Sequence, residues 1–134
     1  MKYKYLSEQD IIEMNQYILK QFNLPYNGIQ YPQGLSLVIE QPQMILFGHE
    51  LYPNLWIKAA YIMQKITKKH IFFDGNKRTS FMACSIFLEI NNFELSMNTD
   101  ESESLLLQLT ISDDTEEEML KVAGVLKKYS IPLD

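Results

Sequence analysis

One predicted helix, over residues 76–91, constrains the fold most, because its sequence is apolar nearly all round. Its apolar side chains are Phe81, Met82, Ala83, Cys84, Ile86, Phe87, Leu88 and Ile90. A helix without a continuous polar face has to be covered on all sides by other elements. We therefore expect this helix at the centre of a helical domain, with Lys77 and Arg78 reaching the surface at its N-terminal end.

The remaining sequence predicts five further helices. Apolar spacing and capping residues place them at about residues 8–22, 35–40, 53–69, 100–111 and 116–129. Pro53 suits the first position of a helix, and the lysines of that helix, Lys58 among them, are expected off its apolar face. The predicted caps are Ser7 for the first helix, Thr99 or Asp100 for the fourth, and Thr115, in a capping box with Glu118, for the fifth.

The segments between these helices predict little β-structure. Residues 24–34 are interrupted by Pro25, Gly28 and Pro32, and both this segment and residues 41–52 are interpreted as loops. Residues 93–97 are predicted to form a short strand that pairs with residues 3–6. The expected fold class is an all-α bundle with at most a minor two-stranded β-element, in a single domain over residues 1–134.

Composition excludes several classes of protein. The single cysteine rules out an internal disulfide framework, and Cys84 is expected to be a buried thiol in the central helix. No apolar run approaches the ~18 residues of a membrane-spanning helix. The first residues lack the apolar core of a signal peptide, so a cytoplasmic protein is expected. The net charge of −5 argues against direct binding of nucleic acid.

The charges are unevenly distributed along the chain. Residues 65–78 hold five basic side chains, and residues 95–120 hold eight acids and no lysine or arginine. One interpretation is a basic mouth on an acidic body. The alternative for the acids is helix capping, because carboxylates are favoured in the first turns of helices.

Residues 70–79, His-Ile-Phe-Phe-Asp-Gly-Asn-Lys-Arg-Thr, concentrate the chemistry of the chain. His70 is an imidazole that can act as a base near neutral pH. Asp74 is a hard oxygen ligand of the kind that binds Mg²⁺, which usually keeps phosphates and waters as its other ligands. Both residues also have ordinary structural interpretations, since a lone histidine or an Asp-Gly-Asn turn need not be functional.

The end of this motif is suited to bind an anion. Gly75 and Asn76 tolerate a left-handed turn, which would present backbone N–H groups and the positive end of a helix dipole. Lys77 and Arg78 add two cations that favour phosphate oxygens, although such a pair is often only a solvated surface. A P-loop is excluded, because no second glycine precedes Gly75 at the required spacing.

Together these residues resemble the active-site motif of the Fic/Doc superfamily, and most closely its Doc branch, whose motif is His-x-Phe-x-Asp/Asn-x-Asn-Lys-Arg. Two positions separate the branches: AMP-transferring members have glycine where this chain has Lys77, and arginine where it has Phe81. The resemblance extends over about residues 1–129, because further segments are similar to Doc-family sequence. These segments are Gly34-Leu35, Gln41-Pro42, Phe47-Gly48, Leu51-Tyr52-Pro53, Lys58-Ala59-Ala60 and Phe87-Leu88-Glu89.

The resemblance implies a toxin that transfers the γ-phosphate of ATP to a protein hydroxyl, a Thr of elongation factor Tu, and so blocks translation. ATP and Mg²⁺ are the implied cofactors, and a Phd-like antitoxin is the implied partner. The implied roles are His70 and Lys77 in catalysis, Asp74 for the metal, Gly75, Asn76, Lys77 and Arg78 for the phosphates, and Phe72 as an anchor of the loop.

Two other functions remain open at this point. One is a Fic-type transferase of AMP or another nucleotide moiety, and the other is a non-catalytic binding module with the same fold. The intact motif weighs against the second. The first helix and residues 35–47 are candidates for the antitoxin groove.

Overall fold

A computed structural model describes residues 2–134, and within them the chain forms six α-helices and two small antiparallel sheets. The helices are α1 (Glu8–Gln21), α2 (Pro32–Glu40), α3 (Leu55–Lys68), α4 (Asn76–Glu89), α5 (Thr99–Ile111) and α6 (Glu116–Lys128). The strands are β1 (Ile45–Leu46), β2 (His49–Glu50), β3 (Phe93–Leu95) and β4 (Ser130–Pro132), and a 3₁₀ turn covers Gln41–Gln43. The predicted all-α class is confirmed.

Helices α3 and α4 form the centre of this bundle. They pack on each other, α1 covers another side of α4, and α2, α5 and α6 contact α3. Six residues of α4 are buried, but α3 is covered more completely, with ten of its fourteen residues buried. Met82 and Ile86 of α4, with its C-cap residue Ile90, are only partly buried, because they pack against the edge of the core and also line a groove beside α1.

The helix starts follow the predicted capping chemistry with local corrections. Ser7 caps α1 in a reciprocal capping box with Asp10. Thr115 caps α6, but the second half of its predicted box is not made, because the Glu118 carboxylate pairs with Lys121 at 2.9 Å.

Three other helix starts differ from prediction. The cap of α5 is Asn98, one residue before the predicted Thr99. Pro53 lies outside α3, whose cap is Asn54. Pro32 begins α2 instead of interrupting a loop, which fits the preference of proline for a first helical turn.

The β-structure was predicted incompletely. The predicted strand β3 exists, but its partner is β4, with Glu94 opposite Ile131, and not residues 3–6. Helix α6 ends close to β3, so the residues that follow it can pair with this strand. This pairing depends on how the helices pack, and the local sequence does not indicate it. Residues 45–50, predicted as loop, form the hairpin of β1 and β2, and Phe47 at its tip is 98% exposed.

Lys58 contradicts its prediction, because its side chain is fully buried. Its ammonium donates to the Pro42 carbonyl at 2.6 Å and to Glu50 Oε1 at 2.9 Å. A buried charge has to be paired and hydrogen bonded to be tolerated. Lys58 therefore ties the β1–β2 hairpin to α3 from within the core.

The expectations for Cys84 and for membrane insertion can also be compared with the structure. Cys84 is fully buried, and this burial raises the pKa of its thiol to about 12. Across residues 2–134, no helix has both the length and the apolarity needed to cross a bilayer.

Candidate active site

The predicted site residues lie on the loop that joins α3 to α4 and on the first turn of α4. The loop makes two left-handed turns, at His70 with φ 51° and at Gly75 with φ 74°. Between these turns the chain runs inward, because Ile71 and Phe72 are buried while His70 and Phe73 are exposed. This arrangement places the imidazole of His70 at the surface, while the buried ring of Phe72 anchors the loop.

A second segment supports the loop from the outside. The N–H groups of Gln30 and Tyr31 donate to the Ile71 carbonyl, at 2.7 and 3.0 Å. The Phe73 N–H donates to the Gly28 carbonyl at 3.2 Å. Residues 28–31, predicted only as loop, therefore pair with one edge of the motif backbone, and the motif side chains that line the cleft are not covered by them.

Asn76 has a local partner that the sequence did not indicate. Its Oδ1 accepts the Phe72 N–H at 2.9 Å, and its Nδ2 donates to the Phe72 carbonyl at 2.8 Å. Both polar groups of the side chain thus bind the backbone of one loop residue, Phe72. Asn76 therefore shapes the loop. The second N–H of its side-chain amide takes no part in this contact.

Asn15 of α1 is a site residue that sequence reasoning missed. It is 1% exposed, and its Nδ2 donates to the Asp74 carbonyl at 3.0 Å and to Thr79 Oγ1 at 3.1 Å. The available signal was a carboxamide on the apolar face of α1, four residues after Ile11. A polar side chain in that position requires a buried partner.

Gly75 is required where α1 and the motif meet. Its φ of 74° lies in the left-handed region, and a Cβ there would stand 3.3 Å from Ile18 and 3.4 Å from Leu19. Gly75 is also the N-cap residue of α4 and offers no side-chain cap. The first-turn N–H groups of α4 are therefore left to bind a ligand, and the helix dipole favours an anion there.

A cleft of about 380 Å³, a suitable size for a small ligand, lies beside this helix terminus. The motif contributes His70, Phe73, Asp74, Asn76 and Lys77 to the lining. The last turn of α3 and the end of α5 contribute Thr67, Lys68 and Thr110. The structure thus brings together a base, a carboxylate and a cation from the predicted set.

Arg78 does not line this cleft. Its guanidinium lies over the ring of Phe22, with Cζ 4.0 Å from the ring centroid. A cation in this position is attracted by the face of the ring. The predicted phosphate contact of Arg78 would therefore require a ligand that extends around the start of α4, or a rotation of the side chain.

The donor set suits a metal shared with a ligand better than a protein-only metal site. Asp74 Oδ1 accepts the Gly75 N–H at 2.8 Å, whereas Oδ2 accepts no hydrogen bond from residues 2–134. In the same residues, no three metal-binding side chains of the His, Cys, Asp and Glu types cluster. A single carboxylate fits Mg²⁺ that arrives with phosphates.

The basic mouth is smaller than predicted, because three of its five cations are bound in ion pairs or hydrogen bonds within the protein. Lys65 and Lys69 both pair with Asp114, and Lys68 donates to the carbonyls of Thr110 and Ser112. Burial tends to raise the pKa of Asp114, but its hydrogen bonds with the two lysines outweigh this and lower the pKa. Lys77 and Arg78 are the exposed cations of the motif.

Comparisons with known proteins match the part of the chain that contains the motif. Residues 5–88 match the model of the Fic/DOC family. Toxin Doc from Mycolicibacterium smegmatis is 36% identical over 81 residues, which cover 59% of this chain and 62% of that protein. The match therefore spans less than two thirds of the relative's length. Since the family model covers the motif and more than half of the chain, this protein belongs to the Fic/DOC family.

Proposed function

We propose that this chain is a Doc-like toxin that transfers the γ-phosphate of ATP to a protein hydroxyl. The proposed target is a Thr of elongation factor Tu in the cytoplasm, whose modification would stop translation. The observation that carries the proposal is the cleft in which His70, Asp74 and Lys77 meet beside the open N-terminus of α4. The relative named Toxin Doc gives further support.

His70 is the proposed general base. It takes the proton from the target hydroxyl as the oxygen attacks the γ-phosphorus. The bond from that phosphorus to the bridging oxygen of the β-phosphate breaks, and ADP leaves. The exposed imidazole at the mouth of the cleft can reach a hydroxyl carried by another protein.

Lys77 and the first-turn N–H groups of α4 are proposed to hold the phosphates. Phosphoryl transfer depends mainly on positioning and on charge neutralisation, and preorganised donors supply both. Asp74 Oδ2 is the proposed ligand of Mg²⁺, which would neutralise phosphate charge when bound. Asn76 and Asn15 keep the loop in place, because they bind the Phe72 and Asp74 backbone.

Two positions favour phosphate transfer over AMP transfer. Lys77 lines the cleft where AMP-transferring relatives have glycine, and it occupies space and adds charge there. Phe81, which stands in place of an arginine, is packed against the hydrophobic core and supplies no cation. Within the resemblance, both differences fit a nucleotide bound with its γ-phosphate towards the attacking hydroxyl.

Labelled ATP tests this proposal. Purified chain, Mg²⁺ and elongation factor Tu are incubated with ATP labelled either at the γ-phosphate or at the α-phosphate. Label should enter the factor from the γ-position only. Transfer of the α-label would identify a nucleotidyl transferase, and no transfer from either position would favour a binding module.

The groove between α1 and α4 is the proposed docking site of an antitoxin helix from a Phd-like partner. It encloses about 420 Å³, within the size range of small binding pockets. Its apolar residues are Leu6, Met14, Tyr17, Met82, Ile86 and Ile90, and Asp10 and Glu13 form an acidic rim. An amphipathic helix with basic flanking residues matches this surface.

The groove is tested by co-expression with a Phd-like antitoxin, sought first in the reading frame immediately upstream. The antitoxin should relieve growth arrest caused by the chain. Met82→Glu should prevent that relief, whereas Leu107→Glu, at an exposed position of α5, should preserve it. Relief that persists with Met82→Glu would exclude this groove.

A further inference from the structure

The cleft has a second wall, and one residue of this wall lies outside the residues matched by the family model. Thr110, in the last turn of α5, lines the cleft together with Thr67 and Lys68 of α3. The matched region ends at residue 88. The position of α5 therefore determines part of the shape of the cleft.

Apolar packing holds α5 only weakly. Just two of its thirteen residues, Leu105 and Leu109, are buried. Leu107 and Ile111 are 62% and 70% exposed. The last turn of α5, where Thr110 lies, therefore needs other contacts to keep a fixed position.

Polar contacts from α3 and its C-cap residue provide that support. Lys65 Nζ binds Asp114 Oδ1 at 2.7 Å, and Lys69 Nζ binds Oδ2 of the same carboxylate at 3.0 Å. Each oxygen of Asp114 thus has its own lysine. The Asp114 side chain is only 20% exposed, which reduces solvent screening of both ion pairs.

Lys68 holds the adjacent backbone. Its ammonium donates to the Thr110 carbonyl at 2.9 Å and to the Ser112 carbonyl at 2.6 Å. The last turn of α5 contains no basic residue of its own. A cation at this end of a helix satisfies open carbonyls and opposes the helix dipole.

We propose that Asp114 is a positioning residue of the cleft: by binding Lys65 and Lys69 it fixes the end of α5, so that Thr110 forms the wall against which a bound nucleotide lies. This inference rests on the proposed nucleotide-dependent function. Asp114 itself does not line the cleft, and it acts through the position of residues 110–114.

The direction in which Asp114→Asn changes nucleotide binding distinguishes a positioning role from a purely electrostatic one. Asp114→Asn removes one negative charge and frees two lysines near the cleft, which by charge alone would strengthen the binding of a nucleotide. If Asp114 positions the wall, the same variant weakens binding. Glu118→Gln is the matched control, because it removes the same charge from a similarly exposed carboxylate, whose ion pair with Lys121 lies within α6.

The first measurement is amide hydrogen exchange of the full chain without ligand. In Asp114→Asn the amides of residues 110–112, at the end of α5, should exchange faster by about threefold to fivefold, as expected when two partly exposed ion pairs are lost. The Glu118→Gln control should leave those amides unchanged. Unchanged exchange in Asp114→Asn would overturn the proposal, whether or not the chain binds nucleotide.

The second measurement is calorimetric binding of Mg²⁺ with the non-hydrolysable ATP analogue AMP-PNP. The Kd should rise by about threefold to fivefold in Asp114→Asn, within what the loss of partly exposed ion pairs allows, and stay unchanged in Glu118→Gln. An unchanged or lower Kd in Asp114→Asn would overturn the proposal. Absence of binding to the wild-type chain would instead contradict the proposed function, and hydrogen exchange would still decide the role of Asp114.

Discussion

The two walls of the cleft are built in different ways. The motif wall, residues 70–77, is anchored by buried Phe72 and by hydrogen bonds to the backbone from Asn15 and Asn76. The α5 wall, at Thr110, is held mainly by lysines and one carboxylate near the surface. The motif wall carries the chemical groups and is held by buried contacts, whereas the α5 wall borders the cleft and is held by partly exposed polar contacts. Substitutions in the two walls should therefore affect different quantities.

The largest effect is expected from His70→Ala in the motif wall. Loss of a positioned base should lower the rate of transfer by about 10²–10⁴. Folding should be retained, because His70 is exposed. The measurement is single-turnover transfer from γ-labelled ATP.

His49→Ala is the matched control for this experiment. His49 is the chain's other histidine, and it is exposed on β2. The His49→Ala variant should transfer phosphate at the wild-type rate. Similar rates for the two variants would show that the motif wall does not supply the base.

Gly75→Ala should destabilise the frame of the motif wall. A Cβ at φ 74° would meet Ile18 and Leu19, and left-handed backbone costs an ordinary residue roughly 1–2 kcal/mol. The free energy of unfolding, measured in urea, should fall by about that amount. Gly124→Ala should have the opposite sign, because Gly124 lies within α6 with open space around it. The same sign for both variants would contradict the strained geometry at Gly75.

Asn15→Ala should loosen the motif wall without touching a ligand. Loss of the hydrogen bonds to Asp74 and Thr79 should cost about 1–3 kcal/mol of unfolding free energy, since a buried polar group loses its partner. Exchange of the Thr79 amide, which donates to the Gly75 carbonyl at 2.9 Å, should rise as well. Gln16→Ala, at the exposed neighbouring position of α1, should change neither quantity. Unaltered exchange in Asn15→Ala would remove Asn15 from the frame of the site.

The smallest predicted effect concerns the α5 wall, and it is a dependence of the free energy of unfolding on pH. The pKa of Asp114 is lowered in the folded chain, so its contribution to stability is present above the ordinary aspartate range. It should disappear as the pH falls through the lowered pKa. The loss should be less than about 1 kcal/mol, because the ion pairs are partly exposed to solvent.

Urea unfolding of the wild-type chain and Asp114→Asn measures this dependence. The stabilities of the two proteins should differ at neutral pH and converge as the pH falls below about 4, near the ordinary aspartate pKa. A difference that persists unchanged into acid would show that the carboxylate charge is not what holds the α5 wall.

The same contrast explains what the sequence could predict. The motif wall is contiguous in sequence, so its residue types and the following helix predicted together the side chains that the structure brings to the cleft. Asn15, Thr110 and Asp114 are distant in sequence and reach the cleft only through helix packing. The burial of Lys58 was missed for a related reason, because its partners, Pro42 in the 3₁₀ turn and Glu50 in the β1–β2 hairpin, lie in a segment that was predicted as loop.

The central claim is that the cleft transfers the terminal phosphate of ATP, and the nucleotide product tests it most directly. The chain, ATP, Mg²⁺ and elongation factor Tu are incubated, and the released products are separated by ion-exchange chromatography. We predict ADP in an amount equal to the modified factor, and none above background with His70→Ala. Release of pyrophosphate in place of ADP would contradict phosphate transfer and assign the cleft to transfer of AMP.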